Sequence, residues 1–257
     1  MTLDRYLGHS TCVQVPEGMF TIGARAFSCN RSVVRVEVPE GVVRIADNAF
    51  SSCVNLEEVV LPSTLAVIER EAFKGCRRLK RIRIPEGVTG IPENAFLRCE
   101  MLEEVVLPPA LTSLGPAAFS HCEKLKRIRI PEGVRDLPAR VFDNCLQLQD
   151  VVLPAGLESL DDEAFAGCVR LEQLQLPETV GWIGRKCFMD CVSLKSMTVP
   201  PLVMSVEAET FRGCDSLERV VLPEGLQVID HKAFAECPSL VDCEIPETTE
   251  LLSSEVF

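Results

Sequence analysis

Apolar and polar positions recur along this chain with a period of 23 residues. In the unit from Pro39 to Leu61, PEGVVRIADNAFSSCVNLEEVVL, the last four residues, Glu58-Val59-Val60-Leu61, are expected to alternate between outward and inward positions, and the next residue is a proline. This alternation predicts a short β-strand that the proline ends, because proline has no N–H for a longer ladder. Between Ile45 and Leu56 the apolar residues lie three or four positions apart, which predicts a short helix. Each unit is therefore predicted to contain a strand, a proline turn, an extended segment and a helix.

The same period orders the whole chain into one array. Proline opens each unit, and phenylalanine follows it eleven places later, from Phe27 to Phe257. The prolines at this position are Pro16, Pro39, Pro62, Pro85, Pro108, Pro131, Pro154, Pro177, Pro200, Pro223 and Pro246. A fixed period in the low twenties is typical of a solenoid, in which each unit buries its apolar side only by stacking on its neighbours. We therefore predict an N-terminal cap with a partial strand at residues 1–15, ten full repeats at 16–245 and a truncated last repeat at 246–257.

The repeat resembles that of a known family. Its residues follow the pattern LxxVxLPxxLxxIxxxAFxxCxxLxxV of the BspA-type leucine-rich repeat, and the segment from Leu56 to Ile82, LEEVVLPSTLAVIEREAFKGCRRLKRI, matches it almost whole. The resemblance extends from Val13 to Phe257. It implies an α/β leucine-rich-repeat solenoid, a right-handed coil of about ten full repeats with a parallel β-sheet face and short helices. It also implies a non-catalytic recognition role, since members are commonly surface proteins of bacteria or protozoa and some take part in adhesion.

Nine of the thirteen cysteines occupy one position of the repeat, fourteen residues after the proline. They are Cys53, Cys76, Cys99, Cys122, Cys145, Cys168, Cys191, Cys214 and Cys237. On stacked rungs their Cβ atoms would lie close to the strand spacing of ~4.8 Å, whereas a disulfide favours about 3.8 Å. The chain also lacks a CxxC pair of the kind that binds zinc. We therefore predict a ladder of small buried thiols, no metal and no cofactor, with Cys12 as the most exposed thiol.

The acidic composition and the lack of targeting segments narrow the function. A net charge of −12 disfavours nucleic acid and anionic lipid as partners, since phosphate recognition draws on clustered lysine and arginine. No apolar run approaches the ~20 residues of a membrane span, so membrane insertion is not expected. Without a secretion signal the chain as given is predicted to be cytoplasmic, or to belong to the cell surface if it is a fragment of a longer protein. No nucleophile–base pair, phosphate loop or convergent carboxylate pair indicates an enzyme.

The outward side chains of the predicted strands form two columns along the sheet. In the first column the charge alternates between rungs, through Glu58, Arg81, Glu104, Arg127 and Asp150. In the second column valine alternates with arginine, through Val60, Arg83, Val106, Arg129 and Val152. Opposite charges on adjacent strands stabilise a sheet without any ligand, which is one interpretation of the first column. The second column favours a partner, because arginine beside exposed apolar positions suits a protein interface.

We therefore predict that these ten residues bind an extended or acidic protein, or a glycan, through the exposed strand face. The alternative interpretation is that the array is a structural spacer within a larger surface protein, in which case the face has no specific ligand. Either way, stacked equivalent positions provide a long surface rather than an enclosed pocket.

The last unit, PETTELLSSEVF, stops before its cysteine, leucine and strand. Solenoids usually end in polar caps, because a bare terminal rung exposes core residues. Leu251, Leu252, Val256 and Phe257 are therefore expected to be partly uncovered. This predicts either that the chain is a fragment or that its C-terminal rung makes an end-to-end contact with another molecule.

Overall fold

Short parallel strands from successive repeats stack along two faces of the molecule. The computed structural model describes residues 1–252 and 255–257, so Ser253 and Ser254 of the predicted truncated repeat lie outside the described residues. The strands, in chain order, are β1 (Thr2–Leu3), β2 (Cys12–Gln14), β3 (Thr21–Ile22), β4 (Arg35–Glu37), β5 (Arg44–Ile45), β6 (Glu58–Val60), β7 (Val67–Ile68), β8 (Arg81–Arg83), β9 (Gly90–Ile91), β10 (Glu104–Val106), β11 (Ser113–Leu114), β12 (Arg127–Arg129), β13 (Asp136–Leu137), β14 (Asp150–Val152), β15 (Ser159–Leu160), β16 (Trp182–Ile183), β17 (Ser196–Thr198), β18 (Ser205–Val206), β19 (Arg219–Val221), β20 (Val228–Ile229) and β21 (Glu250–Leu251).

Strand pairing follows the 23-residue period. Arg35 in β4 pairs with Glu58 in β6, and each other pair of three-residue strands keeps the same parallel register. These strands form the ladders β2-β4-β6, β8-β10, β12-β14 and β17-β19, whose outward side we call the strand face. The two-residue strands form the ladders β1-β3-β5-β7, β9-β11, β13-β15-β16 and β18-β20-β21, whose outward side we call the second face. The predicted solenoid with a parallel sheet face is thus confirmed.

The strand face is interrupted at residues 173–175, which adopt no strand conformation. Gln173 and Gln175 are nevertheless exposed and Leu174 between them is buried, so the in-and-out alternation continues through this rung. Strand pairing is also interrupted between β6 and β8 and between β10 and β12, so the side-chain register continues where the hydrogen-bonded ladder does not.

The predicted short helix is wrong. In residues 1–252 and 255–257 the structure contains no helix, and the segment instead holds residues with positive φ, such as Asn48 at 56° and Ser52 at 59°. Its N–H groups also donate to the next rung, as Phe50 N does to the Ala72 carbonyl at 2.8 Å. An α-helix would need those N–H groups for bonds within the segment itself. The three- and four-residue spacing of apolar positions therefore reflects consecutive tight turns.

A substitution at one of the residues with positive φ tests this turn structure directly. Gly75 has a φ of +70°, and a Cβ placed there would meet only ordinary contacts with Ser52, the nearest at 3.5 Å. Because alanine is strained in this region, Gly75→Ala is expected to lower the free energy of unfolding by about 1 kcal/mol, measured by urea titration. Gly225→Ala is the matched control, since Gly225 has no positive φ and no atom near its added Cβ. Equal effects of the two substitutions would contradict the assigned turn.

A stack of phenylalanine rings occupies the core along the array. The ten phenylalanines from Phe27 to Phe234 that recur every 23 residues are each at most 1% exposed. Adjacent rings lie 4.9 to 5.8 Å apart between centroids, with interplanar angles of 2 to 27°. This spacing is within the range at which aromatic pairs stabilise one another beyond their burial. The stack therefore couples each rung to the next.

The cysteine ladder lies beside this stack. Eight of its nine cysteines are buried, as predicted, and Cys237 is half-buried. Each thiol donates to the carbonyl of the phenylalanine 26 residues earlier, at Sγ–O distances of 3.0 to 3.3 Å. All thirteen cysteines are free thiols, and Cys12 is exposed as predicted, together with Cys29. The ladder is thus more than apolar filling, because its hydrogen bonds link neighbouring rungs.

Residues near both termini extend the aromatic stack. Tyr6 stacks on Phe27 at 5.0 Å, and β1 pairs with β3, so the first residues add to the array. Phe257 stacks on Phe234 at 5.6 Å and is 60% exposed. The expectation that Val256 is uncovered is wrong, since it is 1% exposed, whereas Leu251 and Leu252 are exposed. An end-to-end contact through this rung stays a prediction.

Candidate functional site

The ten predicted residues all lie on the strand face, two each in β6, β8, β10, β12 and β14. The central residue of each strand points into the core, as Ile82 and Ile128 do with 3 and 4% exposure, so the flanking residues point outward. In the paired strands Arg81 lies beside Glu104, and Arg127 lies beside Asp150. The outward residues named above therefore form two columns, although no strand pairing links β6 to β8 or β10 to β12.

Some strand-face arginines are paired with a carboxylate on the next rung. Arg35 Nη1 lies 3.1 Å from Glu58 Oε2, and Arg219 Nε lies 3.0 Å from Asp242 Oδ2. Both pairs are exposed to solvent, where an ion pair contributes about 0–1 kcal/mol. The charge of each of these two arginines is therefore paired within the chain itself.

The strand-face arginines on the rungs between these two pairs have no such close carboxylate in the described part of the chain. Among the described residues, no carboxylate oxygen lies within 4.0 Å of the guanidinium nitrogens of Arg81, Arg127 or Arg129. The Arg83 guanidinium reaches Glu86 at 4.0 Å, and its side chain is 76% exposed. Mutual neutralisation across rungs therefore does not account for this cluster, and its N–H donors face solvent.

Exposed valines separate these arginines. Val60, Val106 and Val152 are 37, 38 and 47% exposed, although each lies in a strand. Apolar side chains in the middle of a sheet face gain nothing from solvent contact, and burying them against another surface is favourable. The second column thus alternates free hydrogen-bond donors with apolar contact area.

Two grooves run along the strand face and share Glu104 and Val106. The first has a volume of about 640 Å³ and holds Arg83 between Val60 and Val106. The second, of about 700 Å³, holds Arg129 between Val106 and Val152. Because their equivalent residues are separated by two repeats, the grooves are copies of one another, roughly 10 Å apart at two strand spacings.

Turn residues that the sequence analysis did not single out form the rim of these grooves. Pro85 and Glu86 line the first groove, and Pro131 and Glu132 line the second. They come from the recurrent Pro-Glu-Gly turn after each strand, which is the signal that could have identified them.

A further acidic residue that lines the first groove, Glu40, is held in its charged form. Its carboxylate accepts hydrogen bonds from the Ser63 N–H and hydroxyl, both at 2.9 Å, and these bonds lower its pKa. The floor of the groove thus combines valine and arginine side chains with the carboxylates of Glu58 and Glu104, and its rim is acidic.

Residues 1–252 and 255–257 contain neither a metal-binding cluster nor a membrane-spanning helix. No group of three or more histidine, cysteine, aspartate or glutamate side chains is arranged to hold a metal ion there. The same residues include no helix that is long and apolar enough to cross a lipid bilayer.

The fold and the repeat together define a leucine-rich-repeat solenoid. The chain belongs to the family of BspA-type leucine-rich repeat regions, whose model matches residues 20–149 and 135–257 with six copies. A sequence comparison with curated proteins gives no match. The predicted family is therefore confirmed by the family model.

Solved bacterial structures share this architecture. A leucine-rich repeat protein from Bacteroides ovatus is 27% identical and has a TM-score of 0.69, over 97% of this chain and 84% of that one. A leucine-rich repeat protein of T. pallidum is 31% identical, with a TM-score of 0.54 over 75% of this chain and 81% of that one. One from Eubacterium ventriosum, at 20% identity and a TM-score of 0.56 over 96% of this chain and 85% of that one, shows the fold alone. Together these similarities support a repeat-based recognition or structural module.

Proposed function

We propose that this protein is a non-catalytic recognition module that binds an acidic polypeptide through the two grooves of the strand face. The observation that carries the proposal is the alternation of exposed valines with two arginines, of which Arg129 has no carboxylate within 4.0 Å among the described residues and Arg83 lies 4.0 Å from Glu86, beyond hydrogen-bond distance. A carboxylate of the partner forms charge-assisted hydrogen bonds with Arg83 and Arg129. Aliphatic side chains of the same partner cover Val60, Val106 and Val152.

The form of the grooves favours an extended partner over a compact one. Both grooves lie on one line along the solenoid and share their central valine, Val106, so one chain segment reaches both arginines. The acidic rim at Glu86 and Glu132 repels carboxylates that approach from the turn side. Acidic side chains are therefore guided to the arginine positions rather than to the groove edges.

A displayed library of random short peptides tests this proposal. Peptides selected on the wild-type protein are expected to combine aspartate or glutamate with aliphatic residues. Their affinity for the double variant Arg83→Glu/Arg129→Glu is expected to fall by at least about tenfold, because a repulsive carboxylate replaces each charge-assisted bond. Fluorescence anisotropy of the labelled peptides measures the loss.

The matched control is Arg31→Glu/Arg170→Glu, which makes the same change in charge at two exposed arginines outside the strand face. It is expected to retain peptide binding, since the net charge alone does not determine recognition. Equal losses in both double variants would show a general electrostatic effect and overturn the proposed site. A library that yields no enriched peptide would overturn recognition and favour the spacer interpretation.

A further inference from the structure

The second face has exposed apolar side chains toward both ends of the array and polar side chains in the middle. Its first column of residues is Phe20, Val43, Ala66, Thr89, Thr112, Arg135, Glu158, Gly181, Met204 and Gln227. Its second column is Thr21, Arg44, Val67, Gly90, Ser113, Asp136, Ser159, Trp182, Ser205 and Val228. Backbone hydrogen bonds between adjacent rungs, such as Val43 N to the Phe20 carbonyl at 2.9 Å, align the first column.

Two apolar patches stand out in these columns. The N-terminal patch consists of Phe20, Val43 and Val67, which are 59, 44 and 38% exposed. The C-terminal patch consists of Trp182 and Met204, which are 44 and 60% exposed. Grouped exposure of large apolar side chains on a folded surface is typical of a contact site, whereas single scattered ones are ordinary.

The two patches are placed symmetrically. If the ten rungs are counted from Pro16 to Pro223, Val43 lies on the second rung and Met204 on the ninth. Val67 lies on the third rung and Trp182 on the eighth. Both pairs are therefore equidistant from the point midway between the fifth and sixth rungs.

We propose that this face joins two copies of the chain into an antiparallel homodimer. A two-fold axis between the fifth and sixth rungs places Val43 of each copy on Met204 of the other, and Val67 on Trp182. Each contact then occurs twice, as an interface between identical surfaces requires. The symmetry of the patches identifies the occupant, because a surface that carries complementary patches at equal distances from one point is complementary to itself.

Residue sizes along the face are compatible with this register. Ala66 and Gly181 lie opposite each other, so their small size allows Val67 and Trp182 beside them to make contact. On the fourth rung Gly90 has no side chain, which leaves space next to the tryptophan ring. The large residues Val67 and Trp182 of one copy thus meet apolar residues of the other beside small ones, whereas Phe20 lies opposite Gln227.

Charges on the face are also compatible with it. Arg135 and Asp136 on the sixth rung oppose Thr112 and Ser113 on the fifth, so no charged residue meets a charged residue of the other copy. The central charges already have partners within one chain: Arg135 pairs with Glu158 at 3.4 Å. Asp136 accepts a hydrogen bond from the Ser159 hydroxyl at 2.6 Å. The polar centre therefore approaches its copy without an unpaired charge.

The area is sufficient for a weak dimer. Ten rungs at the strand spacing give a face roughly 50 Å long, and two columns of side chains give it a width of about 10 Å. The contact then buries on the order of 1,000 Å² in total, near the lower bound of specific interfaces. We expect dissociation in the micromolar range, with both strand faces left free in the dimer.

Analytical ultracentrifugation over a range of concentrations tests the dimer and its register. Val67→Lys and Trp182→Glu, introduced singly, are each expected to weaken association at least about tenfold, because each places a charge against an apolar side chain twice. The double variant Val67→Lys/Trp182→Glu is expected to recover association, since the introduced lysine of one copy meets the introduced glutamate of the other. Within one copy these positions are five rungs, or about 24 Å, apart and cannot pair.

Trp182 is the chain's single tryptophan, so its fluorescence provides a second readout. Its emission is expected to shift to longer wavelength when the wild-type protein is diluted through the dissociation range. Val221→Lys, on the strand face but outside both grooves, is the control and is expected to leave association unchanged. A monomer at all concentrations, a dimer insensitive to both single substitutions, or a double variant without recovery would each overturn the proposal.

Discussion

Raising the pH above about 8.5 is expected to unfold this protein cooperatively. Burial raises the pKa of seven thiols of the core, in the case of Cys191 to about 12, and the seven are Cys76, Cys99, Cys122, Cys145, Cys168, Cys187 and Cys191. An unfolded chain loses these protons near pH 8.5, whereas the folded chain retains them. Stability is therefore fully present below the unfolded pKa and is lost as the pH rises toward the folded pKa values.

The free energy of unfolding is expected to fall steeply with pH, because the contributions of the seven thiols add. Each buried thiol contributes about 1.4 kcal/mol per pH unit once the unfolded state is deprotonated, so seven contribute roughly 10 kcal/mol per unit. A domain's whole stability is typically about 5–15 kcal/mol. Urea titrations at half-unit steps from pH 7 to 10 measure this dependence.

Other groups also titrate at alkaline pH, and a variant with fewer thiols separates their contribution. The triple variant Cys122→Ala/Cys145→Ala/Cys168→Ala removes three of the seven thiols, so the part of the pH dependence of stability that these seven supply is expected to fall by about three sevenths. Its stability at pH 7 is also expected to be lower, because three inter-rung hydrogen bonds are removed. An unchanged pH dependence would show that lysine or tyrosine, rather than the ladder, determines alkaline unfolding.

The period of the sequence was sufficient to predict which residues stack on one another. Residues 23 positions apart occupy equivalent places, so Cys53 and Cys76 had to lie on adjacent rungs whatever the detailed path of the chain. The same argument placed Arg83 and Val106 on one outward column. Predictions that depended only on equivalence between repeats were therefore reliable.

The path of the chain within a repeat was harder to predict. A spacing of three and four residues between apolar positions is shared by a helix and by consecutive tight turns, and periodicity alone does not separate them. The distinguishing signal was the recurrence of residues that tolerate positive φ, such as Gly75, Asn144, Gly167 and Gly213 at one repeat position. A helix of one or two turns would not place such residues in its interior.

In the candidate site, too, some features followed from the repeat period and others depended on the detailed conformation. The two columns followed from strand alternation, but the free guanidinium groups of Arg81 and Arg127 depend on the rotamers of long side chains. Likewise, Glu86 and Glu132 reach the groove rim only because of the conformation of the proline turn. Those details could be seen only in the structure, whereas the outward positions of the strand face could be predicted from the sequence.

Replacing Phe119 by alanine is expected to lower the free energy of unfolding by about 3–5 kcal/mol. The ring is fully buried and stacks on Phe96 at 5.4 Å and on Phe142 at 5.8 Å, so its removal leaves a cavity that touches two neighbouring rungs. Because each rung of a solenoid contacts only its neighbours, the other rungs cannot compensate for the lost contact. Urea unfolding monitored by circular dichroism measures the change.

Phe20→Ala is the control for this substitution, since Phe20 is 59% exposed and lies outside the ring stack. At concentrations where the chain is monomeric, its effect is expected to remain within about 0.5 kcal/mol. Phe119→Leu is expected to be intermediate, because leucine fills much of the volume but cannot stack on either ring. If Phe119→Ala and Phe20→Ala were equally mild, coupling between rungs would have to come from the hydrogen-bonded ladders rather than from the aromatic stack.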